Sequence, residues 1–135
     1  MIQEVKIIDL PKIEDPRGNL TFLEDNSQMP FKIERVFWTY DVPGGETRGG
    51  HAYHRQNELI VALSGSFDVV ITMANGEKKV FSLNRSYYGL YIPALTWRHL
   101  ENFSTNALSL HLSETEFDES DYIRNFDEFS RLYTK

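Results

Sequence analysis

Short β-rich runs separated by turn chemistry follow one another along this chain, and that pattern leaves few folds open. Residues 57–63, 66–73, 79–83, 87–92 and 106–112 are rich in branched and aromatic residues. Ser64-Gly65 interrupts the first pair, and Asn75-Gly76 carries the dipeptide that favours a tight hairpin. Pro93 ends the run at 87–92. Upstream, residues 5–10, 20–24 and 32–40 also read as extended. Strand signals recurring every 8–12 residues or so predict an all-β antiparallel sandwich or barrel. Only the C-terminus differs. From Ser120 onward Tyr122, Phe126, Phe129 and Tyr133 recur at helical spacing, with acids near the start and Arg131 and Lys135 near the end. That pattern predicts a short amphipathic helix. The acidic stretch 114–121 reads as its solvated entry, and the aromatic stripe as packing. No repeat or linker divides the chain, so residues 1–135 are expected to form one domain.

Composition excludes several functions. The net charge is -6, which opposes nucleic acid as the main partner, since a phosphate backbone requires a basic face. No apolar run is long enough for a membrane span, and the N-terminus lacks a basic, apolar leader. The expected setting is cytoplasmic. Cysteine is absent, which removes disulfides, thiolate zinc sites and thiol nucleophiles.

The chemistry concentrates at Arg48-Gly49-Gly50-His51-Ala52-Tyr53-His54. A cation, an imidazole and a phenol stand where a loop becomes a strand. Strict alternation would set Gly49, His51 and Tyr53 on one face and Arg48, Gly50, Ala52 and His54 on the other. Ionisable groups aimed inward point to a ligand pocket, with His54 left at the surface.

His51, Glu58 and Gly65 keep the register of a cupin motif, with Tyr53 at the place of its second histidine. Gly89-Leu90-Tyr91-Ile92-Pro93, then Trp97-Arg98-His99 and Asn102, follow as a second-motif remnant. More broadly, the chain resembles the WxcM-like nucleotide-sugar 3,4-ketoisomerases. The resemblance is carried by Asp15-Pro16-Arg17-Gly18-Asn19-Leu20, Pro30-Phe31-Lys32-Ile33-Glu34-Arg35-Val36-Phe37, Arg48-Gly49-Gly50-His51-Ala52, Leu63-Ser64-Gly65-Ser66, Tyr88-Gly89-Leu90-Tyr91 and Asp121-Tyr122-Ile123-Arg124. It implies a cupin-type antiparallel jelly roll and a homodimer. It also implies conversion of a dTDP-linked 4-keto-6-deoxyhexose into its 3-keto isomer, in the making of deoxysugars for bacterial surface glycans. The family carries His-Ala-His, with both imidazoles at the sugar end, and needs no metal or other cofactor. This chain carries His-Ala-Tyr.

Moving a ketone from C4 to C3 requires a base at C3, an acid at C4 and donors for the enediolate oxygens. Histidine titrates near neutrality and serves as base and acid. Tyrosine is a poor base and a good donor. The expected catalytic pair is therefore His51 as base and Tyr53 as hydrogen-bond donor. The resemblance places guanidinium groups on a pyrophosphate, Arg48 first and Arg98 second. Trp38, Tyr40, Tyr91 and Trp97 are candidates to stack on the base or line the sugar end. His99 is either a pocket residue or a strand-end histidine, and His111 either a minor pocket candidate or a satisfied core histidine. Glu58 either orients His51 or pairs with a cation. A metal site built from His51, Glu58 and His99 is the weaker reading, because Tyr53 removes an expected ligand. Two alternatives stay open: a nucleotide-sugar-binding protein without activity, and a 3,5-epimerase of similar substrates.

Overall fold

The computed structural model describes residues 4–28 and 30–133. Its strands are β1 (Lys6–Asp9), β2 (Lys12–Ile13), β3 (Leu20–Thr21), β4 (Arg35–Thr39), β5 (Arg48–Tyr53) and β6 (Glu58–Ser64). They continue as β7 (Phe67–Thr72), β8 (Lys78–Leu83), β9 (Tyr88–Ile92), β10 (Trp97–Glu101), β11 (Leu108–Ser113) and β12 (Tyr122–Ile123). A 3-10 turn, Glu119–Asp121, precedes β12, and the helix α1 covers Phe126–Arg131. Two five-stranded sheets, ordered β1-β9-β6-β11-β4 and β12-β5-β10-β7-β8, face each other, and β2-β3 is a separate ribbon. The pairing is antiparallel throughout. This is an antiparallel sandwich, as the strand spacing predicts, in the jelly-roll arrangement that the family resemblance implies.

Three apolar layers explain why β6 reads as a continuous hydrophobic run. Ile60 and Ala62 point between the sheets, where they join Phe67, Val69, Ile71, Leu83, Leu90, Ile92 and Leu100. Leu59 and Val61 point to the other face and are buried under Leu10 and Phe31 from the N-terminal segment, beside Tyr91 and Leu112. The outer face of the second sheet is covered too, where Ala52, Trp97 and Ile123 pack under Phe129 of α1. With both faces covered, alternation no longer separates inside from outside.

The C-terminal reading requires a correction. The helix begins at Phe126 rather than near Ser120, with the Asn125 side chain capping it by accepting from the Glu128 N–H. Tyr122 therefore belongs to a strand, opposite Tyr53. Asp121 is buried rather than solvated, and its carboxylate accepts from the Arg55 and Gln56 backbone N–H groups. Those two bonds tie the stretch down, so strand pairing prevails over helical periodicity. Lys135 lies outside the described residues. The extended stretch at 20–24 shortens to Leu20–Thr21, and β10 is a strand that the sequence reading did not assign.

Candidate functional site

Between the sheets, near the β4 edge, lies a cleft of about 80 Å³. It is lined by Phe37 and Thr39 of β4, Arg48, His51 and Tyr53 of β5, Glu58 of β6, Arg98 of β10 and His111 of β11. Simple alternation sets Arg48 on the face opposite His51, yet both line this cleft. The cause is a β-bulge. In the pairing with β10, Arg98 lies opposite His51 and His99 opposite Gly49, so Gly50 is the extra residue. Gly49 and Gly50 both have positive φ, 96° and 75°, a conformation that a side chain would strain. One inserted residue shifts the parity, and Arg48 turns to the same side as His51. It stands at the mouth, exposed, with no carboxylate paired to it among the described residues.

Deeper in, three rings meet. The His51 and Tyr53 centroids are 4.8 Å apart, and Tyr122 lies 5.2 Å from His51 and 4.8 Å from Tyr53. Burial, reinforced by the Arg98 charge and only partly opposed by Glu58, lowers the His51 pKa to about 4. The imidazole is therefore neutral at pH 7 and free to accept a proton. Burial also pushes the Tyr53 phenol well up, aided by Glu58 and by a hydrogen bond shared with Tyr122. Tyr53 thus stays protonated as a donor.

The floor is a buried polar chain. Arg98 Nη1 donates to Glu58 Oε1 at 2.5 Å, and both side chains are almost fully buried, at 1% and 2% exposure. Glu58 Oε2 lies 3.3 Å from His111 Nδ1, and His111 Nε2 lies 2.9 Å from Ser109 Oγ. Burial alone would raise the Glu58 pKa, but the His111 hydrogen bond and the Arg98 charge outweigh it and hold it at about 2. Arg98 Nε donates to the Thr96 carbonyl at 3.2 Å, while Nη2 is buried with no acceptor. Its guanidinium lies over the Tyr53 ring, 5.0 Å from the centroid. Glu58 therefore pairs with a cation rather than with His51. His111 is both a cleft residue and hydrogen-bonded.

Several expected site residues lie elsewhere. Trp97 and His99 alternate with Arg98 and Leu100, so they point away from the cleft. Trp97 packs on Phe126 and Phe129, and His99 pairs with Glu101. The trio His51, Glu58 and His99 is therefore not gathered. Among the described residues no three His, Cys, Asp or Glu side chains are spaced to hold a metal ion. Tyr91 is buried against Phe31 on the outer face of the first sheet. Trp38 and Tyr40 lie outside the cleft and are 56% and 62% exposed, because β4 turns Arg35, Phe37 and Thr39 inward instead. Tyr122 was missed, although a signal was available. Asn125 followed by Glu128 has the capping pattern that starts the helix at Phe126 and frees Tyr122 for a strand.

Comparison with known proteins gives the family and the fold. The family model described as FdtA, WxcM-like, C-terminal, matches residues 3–134. A TDP-4-oxo-6-deoxy-alpha-D-glucose-3,4-oxoisomerase of Aneurinibacillus thermoaerophilus is 35% identical over 132 residues, covering 98% of this chain and 94% of that protein. Among solved structures, the sugar 3,4-ketoisomerase QdtA of Thermoanaerobacterium thermosaccharolyticum, in complex with TDP, superposes with a TM-score of 0.94. It is 33% identical, with 99% of this chain and 97% of that one covered. The TDP-quinovose 3,4-ketoisomerase WlaRB of Campylobacter jejuni gives 0.89 at 38% identity, covering 96% and 99%. Matched over almost its whole length and carrying the His51 cleft between its sheets, the chain belongs to the WxcM-like FdtA family.

Proposed function

We propose that this protein is a sugar-nucleotide 3,4-ketoisomerase that acts on a dTDP-linked 4-keto-6-deoxyhexose. The carrying observation is His51, neutral in a cleft lined also by Tyr53 and by Arg98, whose Nη2 is buried without an acceptor. His51 takes the C3 proton. The C3–C4 double bond forms, and the C4 carbonyl oxygen becomes an enediolate oxygen that accepts from Tyr53 and Arg98. The imidazolium then returns its proton to C4, O3 becomes the carbonyl oxygen, and its proton passes to O4. Arg98, expected on the phosphates, lies in the floor of the cleft away from its mouth, so its role moves to these oxygens. Arg48, exposed at the mouth, is the residue for the pyrophosphate. No metal or other cofactor enters this scheme.

The family relatives named above support this substrate class. A 3,5-epimerase of the type considered from the sequence relies on a His-Asp pair and a tyrosine on the opposite face. The histidine–carboxylate contact in this cleft is His111 with Glu58, which Arg98 shares, while the base candidate His51 has no carboxylate paired to it among the described residues. We further read the protein as cytoplasmic, as a source of deoxysugars for surface glycans, and as a homodimer. The support for a dimer is that Val36, Trp38 and Tyr40 lie exposed on or just past β4, the edge of its sheet.

Incubation with dTDP-4-keto-6-deoxyglucose in D₂O, followed by NMR, tests the reading. A new 3-keto species carrying deuterium at C4 is expected, with deuterium at C3 of the recovered 4-keto substrate, and His51→Asn should abolish the exchange while dTDP still binds. Exchange at C5 would indicate an epimerase. Tight binding with no exchange would indicate a non-catalytic binder.

A further inference from the structure

The buried chain under the cleft is more elaborate than packing requires. Four side chains from three strands and both sheets meet end to end: Ser109 and His111 of β11, Glu58 of β6 and Arg98 of β10. An ionised carboxylate only accepts, so both Glu58 oxygens take donors, Arg98 Nη1 on one and His111 Nδ1 on the other. A neutral imidazole that donates from Nδ1 must accept at Nε2, so Ser109 Oγ–H becomes the donor at that end. The hydrogen bonds then run in one direction, from Ser109 through His111 to Glu58. Phe37 stacks flat on the imidazole, with centroids 4.5 Å apart and planes 7° apart, and fixes the ring plane.

Everything converges on Arg98. Its Nε is held by the Thr96 carbonyl, its Nη1 by Glu58 and its face by the Tyr53 ring. Nη2 alone, buried, has no acceptor. An unsatisfied buried donor weakens the free protein, and a buried ion pair is not the most stabilising filling for such a space. Both features are accounted for if the vacant donor meets a ligand oxygen.

We infer that Ser109, His111 and Glu58 are positioning residues that hold the Arg98 guanidinium with Nη2 directed at the reacting oxygens of the sugar. This inference rests on the isomerase reading. None of the three touches the reacting carbons. They act through Arg98, whose orientation governs how much of the enediolate charge it meets.

Three variants separate positioning from scaffolding. His111→Phe keeps the ring and its stacking on Phe37 but removes both nitrogens. His111→Asn keeps a donor near the Nδ1 position, and Ser109→Ala removes only the end of the chain. Misplacing an oxyanion donor without deleting it should lower kcat about 10–100-fold in His111→Phe with little change in KM. His111→Asn should recover most of that loss, with Ser109→Ala in between. Native kcat in His111→Phe, or equal losses in His111→Phe and His111→Asn, would overturn the inference. A second readout needs no turnover. Nitrogen-15 NMR of the ligand-free protein should show His111 as the neutral Nδ1–H tautomer, with slow rotation of the Arg98 guanidinium that quickens in His111→Phe. An Nε2–H tautomer or a doubly protonated ring would overturn the relay. If the tautomer and the slow rotation are found but no isomerisation occurs, the relay stands and the isomerase reading fails. Isomerisation with an unaffected His111→Phe removes the relay and leaves that reading intact.

Discussion

Replacing Glu58 by Gln preserves shape and removes one charge from a buried pair, which makes it a demanding test of how the cleft floor is held. A guanidinium keeps its charge in proteins, and the Arg98 side chain is 1% exposed, so water cannot screen it. Breaking one side of such a pair costs about 3–5 kcal/mol, chiefly because a lone charge is left in the interior. For 135 residues the unfolding entropy is about 0.28 kcal/mol/K. The melting temperature should therefore fall by roughly 11–18 °C. Urea titration at pH 7 is the assay, with the midpoint shifting while the m-value stays constant. The double variant Glu58→Gln/Arg98→Met removes both charges and should regain most of the stability while remaining inactive. If Glu58→Gln were within about 1 kcal/mol of the native protein, the carboxylate would not be the counter-charge of Arg98. A double variant no more stable than the single one would refute the account equally.

Acid sensitivity follows from the shifted groups. The His51 pKa is lowered to about 4 in the folded state, so as pH falls the unfolded chain takes up that proton first. Stability should decline between the ordinary value of 6.5 and about 4, by at most about 1.4 kcal/mol per pH unit, and His51→Asn should remove that part of the slope. Glu58, lowered from 4.5 to about 2, extends the loss below pH 4.5. Both signs point the same way, and urea midpoints measured from pH 7 to pH 2 test them. Deleting Gly50 should erase the bulge and turn Arg48 to the outer face, lowering TDP affinity about tenfold or more by calorimetry while leaving His51 in place. Unchanged affinity would remove Arg48 from the phosphate site. If β4 carries the proposed dimer interface, native protein should scatter light as a dimer and Trp38→Glu as a monomer, and a dimer that persists in the variant would place the interface away from β4.

The sequence was most legible where chemistry and local turns coincide. The strands from Glu58 to Ile92 were bounded to within a residue or two, because Gly65, Asn75-Gly76 and Pro93 break the chain whatever lies around it. His51 and Tyr53, two apart on one strand, kept the shared face that alternation gave them. The aromatic candidates were less legible. Trp38, Tyr91 and Trp97 sit in strands where both faces are apolar or aromatic, so nothing local says which face is the cleft. In the C-terminal stretch, the spacing of Tyr122 from Phe126 suits a helix as well as it suits a strand followed by a helix. The Asp121 bonds to the backbone of Arg55 and Gln56, far away in sequence, decide between them.

What the sequence determined by itself was an antiparallel β sandwich or barrel, a chain without thiol chemistry, and His51 and Tyr53 on one inward face of a strand. The tertiary structure alone decided the company that His51 keeps. Gly49-Gly50 shows that the backbone can bend, but only the pairing with β10 makes Gly50 the extra residue and brings Arg48 to the same side. Arg98, Glu58, His111 and Tyr122 are scattered over nearly half of the chain, and no spacing rule connects them. Periodicity reports neighbours on one element. A buried polar chain is set by which strands of two sheets lie opposite each other, and that belongs to the whole fold.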